Sequence, residues 1–207
     1  MKLVIYWFRT DLRLHDNPSL LRACEAADYL LPVFIRSSDD EQMTPWGFER
    51  QGMHRKEFMD ASAASLANQL EGLGSALYCY TGKPVDILAN LVNTLKASAI
   101  YCESIEAPYE NQVLKALQDK GINIQTHWQS SMIAPSDLPF EPKNMPDVFT
   151  SFRQSIERTG KRHTKPIDAI TKIPPQPQSH IGSVFRCDSK SSDKPVLFAG
   201  GEHAALI

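Results

Sequence analysis

Charged residues follow directly on an apolar run near the N-terminus, and their spacing permits two interpretations. The segment reads Trp7-Phe8-Arg9-Thr10-Asp11-Leu12-Arg13-Leu14-His15-Asp16-Asn17-Pro18. In a structural interpretation, Arg9, Asp11, Arg13 and Asp16 form ion pairs and helix caps that fix a strand-to-helix turn. In a functional one, the end of this first strand borders the switch point of an open α/β sheet, where ligands bind, and Phe8 and Arg9 contact the ligand. Both interpretations can hold, for different residues.

A group of acidic residues follows the fourth strand-like run of the chain and enters the fourth predicted helix. It consists of Glu103, Glu106 and Glu110. If the sheet order is 3-2-1-4-5, the end of the fourth strand forms the other wall of the same crevice. A carboxylate there can accept hydrogen bonds from the amino and ring N–H groups of a pterin-like ligand. The alternative is that Glu110, near a helix N-terminus, is only a favourable partner for the helix dipole.

Other catalytic patterns are missing from the sequence. The segment Gly72-Leu-Gly74-Ser-Ala-Leu77 lacks the last glycine of a dinucleotide fingerprint and follows a predicted helix instead of a strand. No Walker-type phosphate loop or serine nucleophile elbow is present, and the histidines and cysteines show no metal-ligand spacing. Metal-dependent or triad hydrolysis is therefore disfavoured. The basic cluster from Arg158 to Lys165 is typical of solvated surface.

Five short apolar runs rich in β-formers predict the strands that position these residues. They span residues 2–8, 29–35, 76–80, 98–102 and 122–128. Amphipathic segments between them predict helices, the longest at about 54–73 and the last at about 108–120. The order βαβαβαβαβ predicts a three-layer Rossmann-like (flavodoxin-like) α/β domain, with a five-stranded parallel sheet of probable order 3-2-1-4-5.

Changes in apolar patterning and in proline content along the chain predict three parts. We expect the α/β domain over residues 1–133, an extended interdomain linker with one short helix over 134–199, and the start of a further helix over 200–207. The 22 Lys and Arg against 24 Asp and Glu predict no overall attraction to a DNA backbone. The scattered cysteines are typical of reduced thiols, three of them in the core. With no signal peptide or membrane-length apolar run, we expect a cytoplasmic protein without membrane contact.

Three long motifs resemble one known family. The opening motif over residues 7–17 resembles the start of photolyase/cryptochrome flavoproteins. The segment 137–140, followed by 145–157, resembles the DASH cryptochromes, and 198–206 resembles the family's entry into its helical domain. Together with residues 50–82, the similarity extends over essentially the whole chain.

The resemblance implies a role in the capture of light. In this family the α/β domain can hold an antenna chromophore, commonly methenyltetrahydrofolate, which passes excitation to FAD in an adjacent all-helical domain. The reduced flavin then donates an electron to a cyclobutane pyrimidine dimer in DNA. Glu110 falls at the family position where an acidic side chain contacts the pterin, and Glu106 lies in the same motif. This chain has Pro108-Tyr109 where DASH members usually have small or acidic residues.

The same resemblance predicts that this chain lacks the FAD-binding and DNA-contacting residues, which belong to the helical domain. We therefore expect an antenna-side domain that is inactive by itself, with the helical domain as its partner. The alternatives are a free-standing flavodoxin-like ligand-binding or interaction module, and a nucleotide-using α/β enzyme outside the family. We expect Trp7, Trp46 and Trp128 to be core or crevice-wall aromatics. Apolar surface around Phe149, Phe152 and 196–198 predicts self-association.

Overall fold

A computed structural model describes residues 1–160, 163–178, 183–184 and 198–206. The strands are β1 (Leu3–Phe8), β2 (Tyr29–Ser37), β3 (Tyr78–Gly82), β4 (Ala99–Glu103), β5 (Ile124–His127) and β6 (Ser183–Val184). The helices are α1 (Pro18–Ala26), α2 (Met53–Gly72), α3 (Pro84–Leu95), α4 (Pro108–Asp119), α5 (Phe149–Arg158) and α6 (Glu202–Ala205). Short 3₁₀ turns lie at Ser38–Glu41, Pro135–Asp137 and Pro142–Asn144.

The sheet has the order β5-β4-β1-β2-β3-β6. Its first five strands are parallel, which confirms the predicted α/β fold and the order 3-2-1-4-5. The short β6 pairs antiparallel with β3 and was not predicted, since it falls inside the expected linker. Helices cover both faces of the central strand β1, and this explains its uninterrupted apolar sequence.

Two hydrophobic layers enclose the sheet. Side chains alternate along β1, so that Tyr6 and Phe8 pack with α1 and α2, whereas Ile5 and Trp7 pack with α3 and α4. The two faces of the sheet therefore hold separate cores. Both cores reach the carboxyl end of β1, and the side chains there are positioned from both faces of the sheet.

Helix α1 starts as its sequence predicts. The Asn17 side chain caps it by accepting a hydrogen bond from the Leu20 N–H, at 3.0 Å, and Pro18 occupies the first turn. The cap of this helix is therefore Asn17 and not Asp16, which the structural interpretation had included among the caps. Asp16 instead adopts φ of 48° and accepts a hydrogen bond from the Ile167 N–H.

Residues 167–176, here called the strap, belong to the expected linker but pack against the α/β core. Ile170 and Ile173 lie buried in the same layer as α1 and α2. The Leu30 N–H donates to the Pro175 carbonyl at 3.1 Å, and the Ile170 N–H donates to the Leu14 carbonyl at 3.2 Å. The strap is extended, as a linker would be, but it contributes to the core instead of standing apart from it.

Exposure corrects two predictions about single residues. Trp46 was expected in the core or a crevice wall, but it is 78% exposed and stacks on Phe48 outside the core. Among the described cysteines, all free, only Cys102 is buried, whereas Cys24 and Cys79 are half-buried. The long stretch between 179 and 197, apart from β6, lies outside the described residues and includes Cys187, His180 and the apolar Val196 and Leu197.

Exposed apolar side chains occur where a contact surface was expected. Phe149 is 73% exposed and Phe198 is 77% exposed, and Phe152 is half-buried against Phe140. Self-association through this surface stays a prediction. Lys161 and Arg162 of the basic cluster lie outside the described residues. Among the described helices, none combines the length and apolar character that a membrane crossing requires.

Candidate functional site

A cleft of about 260 Å³ opens at the carboxyl edge of the sheet, above the ends of β1 and β2. Helix α2 walls it on one side, and the N-terminal turn of α4 on the other. The paired residues Phe8 and Phe34 lie side by side at the strand ends beneath it. Ligand sites of open α/β sheets lie at this edge, and the cleft is therefore the candidate binding site.

The floor of the cleft is apolar and aromatic. Trp7, Phe8, Phe34 and Ile35 line it from the sheet, and Met59 lines it from α2. These side chains are held by the hydrophobic cores beneath them, so the floor does not need a ligand to be formed. A planar ring could pack against this floor.

Cations lie around the rim of the cleft. Arg9, Arg36, Arg55 and Lys56 all line it. The Arg9 guanidinium stacks over the Trp7 ring at 4.8 Å and donates to the Glu103 carbonyl at 3.2 Å, and these contacts fix its position. Anionic groups of a ligand would meet these cations at the rim.

Two of the cations are balanced by carboxylates. Arg36 Nε lies 2.8 Å from Asp60, and Lys56 Nζ lies 2.8 Å from Glu49. Lys56 and Asp60 stand one helical turn apart on α2, so a single face of this helix presents both charges to the cleft. The side wall is therefore polar while the floor is apolar.

Two carboxyl groups line the cleft from different segments of the chain. Asp40, after β2, and Glu110, in the first turn of α4, both line it. Burial raises the pKa of Asp40 above its ordinary value, Arg50 and Arg55 act in the opposite direction, and the charge of Glu110 adds to the increase. Carboxylates accept hydrogen bonds, so two of them in one cleft suit a ligand that carries several N–H groups.

Tyr109 stands at the rim between α4 and the segment after β2. Its hydroxyl donates to Asp39 Oδ2 at 2.5 Å, and the Arg50 guanidinium lies over its ring, 3.7 Å from the centroid. Burial and the neighbouring Asp39 raise the pKa of Tyr109 to about 12. Tyr109, which departs from the DASH pattern, is thus fixed in the rim by these two contacts.

The structure brings together three of the five predicted site residues. Phe8, Arg9 and Glu110 line the cleft. Glu103 is buried outside it and accepts a hydrogen bond from the Thr10 hydroxyl at 2.7 Å; burial raises its pKa, as does the charge of Asp11. Glu106 is exposed and does not line the cleft.

The charged turn between β1 and α1 follows the structural interpretation. Asp11 is 1% exposed and accepts hydrogen bonds from the Arg9 N–H, from Asn17 Nδ2 and from Gln129 Nε2. The Tyr6 hydroxyl also donates to it, at 2.5 Å. Its carboxylate is therefore committed to the fold.

Arg13 and Asp16 are committed to the same turn. The Arg13 guanidinium donates to the carbonyls of His15, Asp16 and Gln129. Asp16 binds the strap through its carboxylate and through its N–H, which donates to the Ile167 carbonyl. These residues position Arg9 and Phe8 from below and do not line the cleft.

Sequence reasoning missed most of the charged rim. Arg36 is the next-to-last residue of β2, the neighbour of β1, and its position near that strand end was a usable signal. Arg55, Lys56 and Asp60 lie on a helix that was predicted, but nothing in the sequence showed which face of α2 meets the cleft. Asp40 lies in a loop without periodicity, so it gave no signal. In the part of the chain that the structure describes, no cluster of His, Cys, Asp and Glu could hold a metal ion.

Comparison with known proteins places this architecture in a family. A family model described as DNA photolyase matches residues 4–176. The cryptochrome DASH of Gloeobacter violaceus is 30% identical over 99% of this chain and 43% of its own length. The structure of a cryptochrome from Synechocystis sp. superposes with a TM-score of 0.81 at 30% identity, over 86% of this chain and 38% of that one.

A bacterial class III photolyase from Agrobacterium tumefaciens superposes over the whole chain with a TM-score of 0.79 at 25% identity, and this covers 43% of its own length. The chain thus spans less than half the length of each of these three relatives. The family match and the shared fold lead to the same assignment: this chain belongs to the DNA photolyase family and is similar to its cryptochrome DASH members.

Proposed function

We propose that this chain is the antenna-binding domain of a DASH-type cryptochrome or photolyase, and that methenyltetrahydrofolate binds in the cleft. The observation that carries the proposal is the pair of carboxyl groups, Asp40 and Glu110, placed above an aromatic floor. A pterin presents an amino group and ring N–H groups along one edge, and carboxylates are the acceptors that such an edge needs.

The dimensions of the cleft support a ring inside and a tail outside. Its volume of about 260 Å³ is slightly below the ~300–1,000 Å³ common for small-molecule sites. The bicyclic pterin would pack on Trp7 and Phe34, and the benzoyl-glutamate part would extend over the rim. Arg55 and Lys56 at that rim would then meet the glutamate carboxylates.

The contribution of this chain would be to bind and orient the chromophore and to shield its ring from water. The bound folate would supply near-ultraviolet absorption and pass its excitation to a flavin. The protein groups determine only where the chromophore lies and how rigidly it is held. Light-dependent repair of pyrimidine dimers, or blue-light sensing, would belong to the whole protein, and this chain alone would catalyse neither.

The partner that completes this function would be an FAD-binding helical domain, through which DNA would be reached. Two contacts between the described C-terminal residues and the α/β domain support this proposal. The Glu202 carboxylate accepts hydrogen bonds from the Leu14 and His15 N–H groups, at 3.0 and 2.8 Å. Gly200 and Gly201 lie so close to α2 that a Cβ atom on either would clash with it. The entry to α6 is thereby held against the α/β domain.

Titration of the purified chain with methenyltetrahydrofolate tests the proposal. We expect a shifted near-ultraviolet band that stays with the protein through gel filtration. We also expect the folded state to be stabilised by about 2.7 kcal/mol at a ligand concentration 100 times Kd. ATP and NAD serve as controls and should leave the melting temperature unchanged. Folate would be tested at concentrations up to about 1,000 times that of the protein. If it neither shifts the band nor stabilises the chain over this range, antenna binding is refuted.

A further inference from the structure

Tyr109 is held by two contacts that come from the opposite side of the cleft rim. It lies on α4, whereas its partners Asp39 and Arg50 lie in the segment between β2 and α2. The hydroxyl contact fixes the tip of the side chain, and the guanidinium covers a face of the ring. The ring therefore bridges the two sides of the cleft.

The two partners of Tyr109, Asp39 and Arg50, lie in one loop whose start and end are joined by hydrogen bonds. The Gln51 N–H donates to the Asp40 carbonyl at 3.0 Å, and the Arg50 N–H donates to the Gln42 carbonyl at 3.1 Å. These bonds tie the start of the loop to its end, so that Asp39 and Arg50 move together. Separating α4 from this loop would break both contacts of Tyr109 at once.

The inner side of Tyr109 faces the binding site. Tyr109 lines the cleft and packs against the hydrophobic layer that contains Trp7 and Val113. Glu110, the carboxylate that would hold the pterin edge, is the next residue on the same helical turn. Any movement of the Tyr109 ring would therefore change access to both the floor and the acidic wall.

We propose that Tyr109 is a gate of the cleft: held by Asp39 and Arg50 it narrows the opening, and its release gives a ligand a wider path to Trp7 and Glu110. The identity of the ligand rests on the proposed function. Access to the cleft does not, because a small neutral solute tests it without any folate.

Quenching of Trp7 fluorescence by acrylamide measures this access. A background carrying Trp46→Phe and Trp128→Phe leaves Trp7 as the single tryptophan. In this background Tyr109→Phe keeps the ring but removes the hydrogen bond. The matched control is Tyr78→Phe, which removes another half-buried hydroxyl that is bonded to Gln176 and does not line the cleft.

We expect Tyr109→Phe to raise the quenching rate constant of Trp7 by up to about tenfold, the factor expected when a charge-assisted hydrogen bond no longer opposes opening. Tyr109→Ala should raise it further, and Tyr78→Phe should leave it unchanged. Near-ultraviolet circular dichroism verifies folding, and Tyr109→Phe alone decides the test if Tyr109→Ala is unfolded. Equal quenching in the parent and in Tyr109→Phe would overturn the gate.

Folate association kinetics on the same variants separate the gate from the antenna proposal. If the gate and the antenna are both correct, the association rate of methenyltetrahydrofolate rises in Tyr109→Phe by a factor similar to that of quenching. If quenching rises but folate binds no variant, the gate stands and the antenna proposal fails. If folate binds the parent and Tyr109→Phe at equal rates with equal quenching, the antenna stands and the gate fails.

Discussion

The turn after β1 and the rim of the cleft are both rich in charge, and both lie at the carboxyl edge of the same sheet. In the turn, the carboxylate of Asp11 is surrounded by donors from the protein itself. In the cleft, Asp40 and Glu110 both line the wall, and burial raises the pKa of Asp40, with smaller increases from the charges of Asp39 and Glu110. An abundance of charged residues is therefore common to the two regions and does not distinguish them. The difference is where the polar groups lie: those of the turn are buried or half-buried and bond to one another, whereas those of the rim line the cleft even where they are paired, as Arg36 is with Asp60.

This difference explains how the residues at the carboxyl end of β1 can both stabilise the fold and contribute to the cleft. Residues of the turn use their polar groups on each other and so fix the backbone that carries Phe8 and Arg9. Residues of the rim hold charges of both signs beside an apolar floor, where a ligand can reach them. The comparison predicts large stability effects in the turn and small ones at the rim.

The largest effect should follow the loss of the Asp11 carboxylate. Asp11→Ala leaves the buried polar groups of Tyr6, Asn17 and Gln129 without their shared acceptor, and we expect it to lower the free energy of unfolding by about 3–5 kcal/mol. Urea unfolding at pH 7 measures this change. Asp11→Asn, which keeps one acceptor oxygen, should cost less. A loss below about 1 kcal/mol in Asp11→Ala would remove the distinction between turn and rim.

The strap supports the turn from outside, so a cavity beneath it should have the next largest effect. We expect Ile173→Ala to lower the free energy of unfolding by about 2 kcal/mol, at the lower end for buried isoleucine because the site lies at the edge of the core. Val148→Ala, at an exposed position, is the control and should change it by less than about 0.5 kcal/mol. Equal effects of both substitutions would mean that the strap is a detached linker.

A smaller, pH-dependent effect should arise at Glu103, which lies between the two regions. Its pKa in the folded chain is raised above the ordinary 4.5, mainly by burial. As pH rises past 4.5, the unfolded chain releases this proton first, so the folded state loses stability until pH exceeds the raised pKa.

Glu103→Gln cannot titrate and keeps an acceptor for Thr10. The stability of the variant relative to the parent should therefore increase with pH above 4.5 and then level off. Urea unfolding of both proteins from pH 4 to pH 8, the range of about four units in which carboxyl groups of this kind titrate, measures the difference. A difference that is constant across this range would show that Glu103 is not perturbed by its surroundings.

The sheet and its order were predictable because the pattern that defines them is local. The buried strand β1 is a continuous apolar run, and the helices α1, α3 and α4 each have an apolar stripe and a proline in the first turn. Alternation of these elements then leaves few possible topologies. The resemblance to a family added the position of Glu110, which the structure places at the cleft.

What could not be predicted depends on contacts between distant segments. Ile170 and Ile173 lie in a polar, proline-rich stretch without a period, so their burial under the core gave no signal. Trp46 looked like core material because of its size, but the loop that carries it projects outward. The contact between Arg50 and Tyr109 joins residues far apart in the sequence, and neither residue indicates the other.

The central claim is that the carboxylate of Glu110 binds the pterin edge of a folate in the cleft. Methenyltetrahydrofolate titrations of Glu110→Gln and Glu106→Gln test it most directly, because both substitutions remove one charge from the same segment and only Glu110 lines the cleft. We predict that Glu110→Gln raises Kd at least about tenfold, as expected for the loss of a charge-assisted hydrogen bond, whereas Glu106→Gln leaves Kd unchanged. Equal affinity in the two variants would contradict the account.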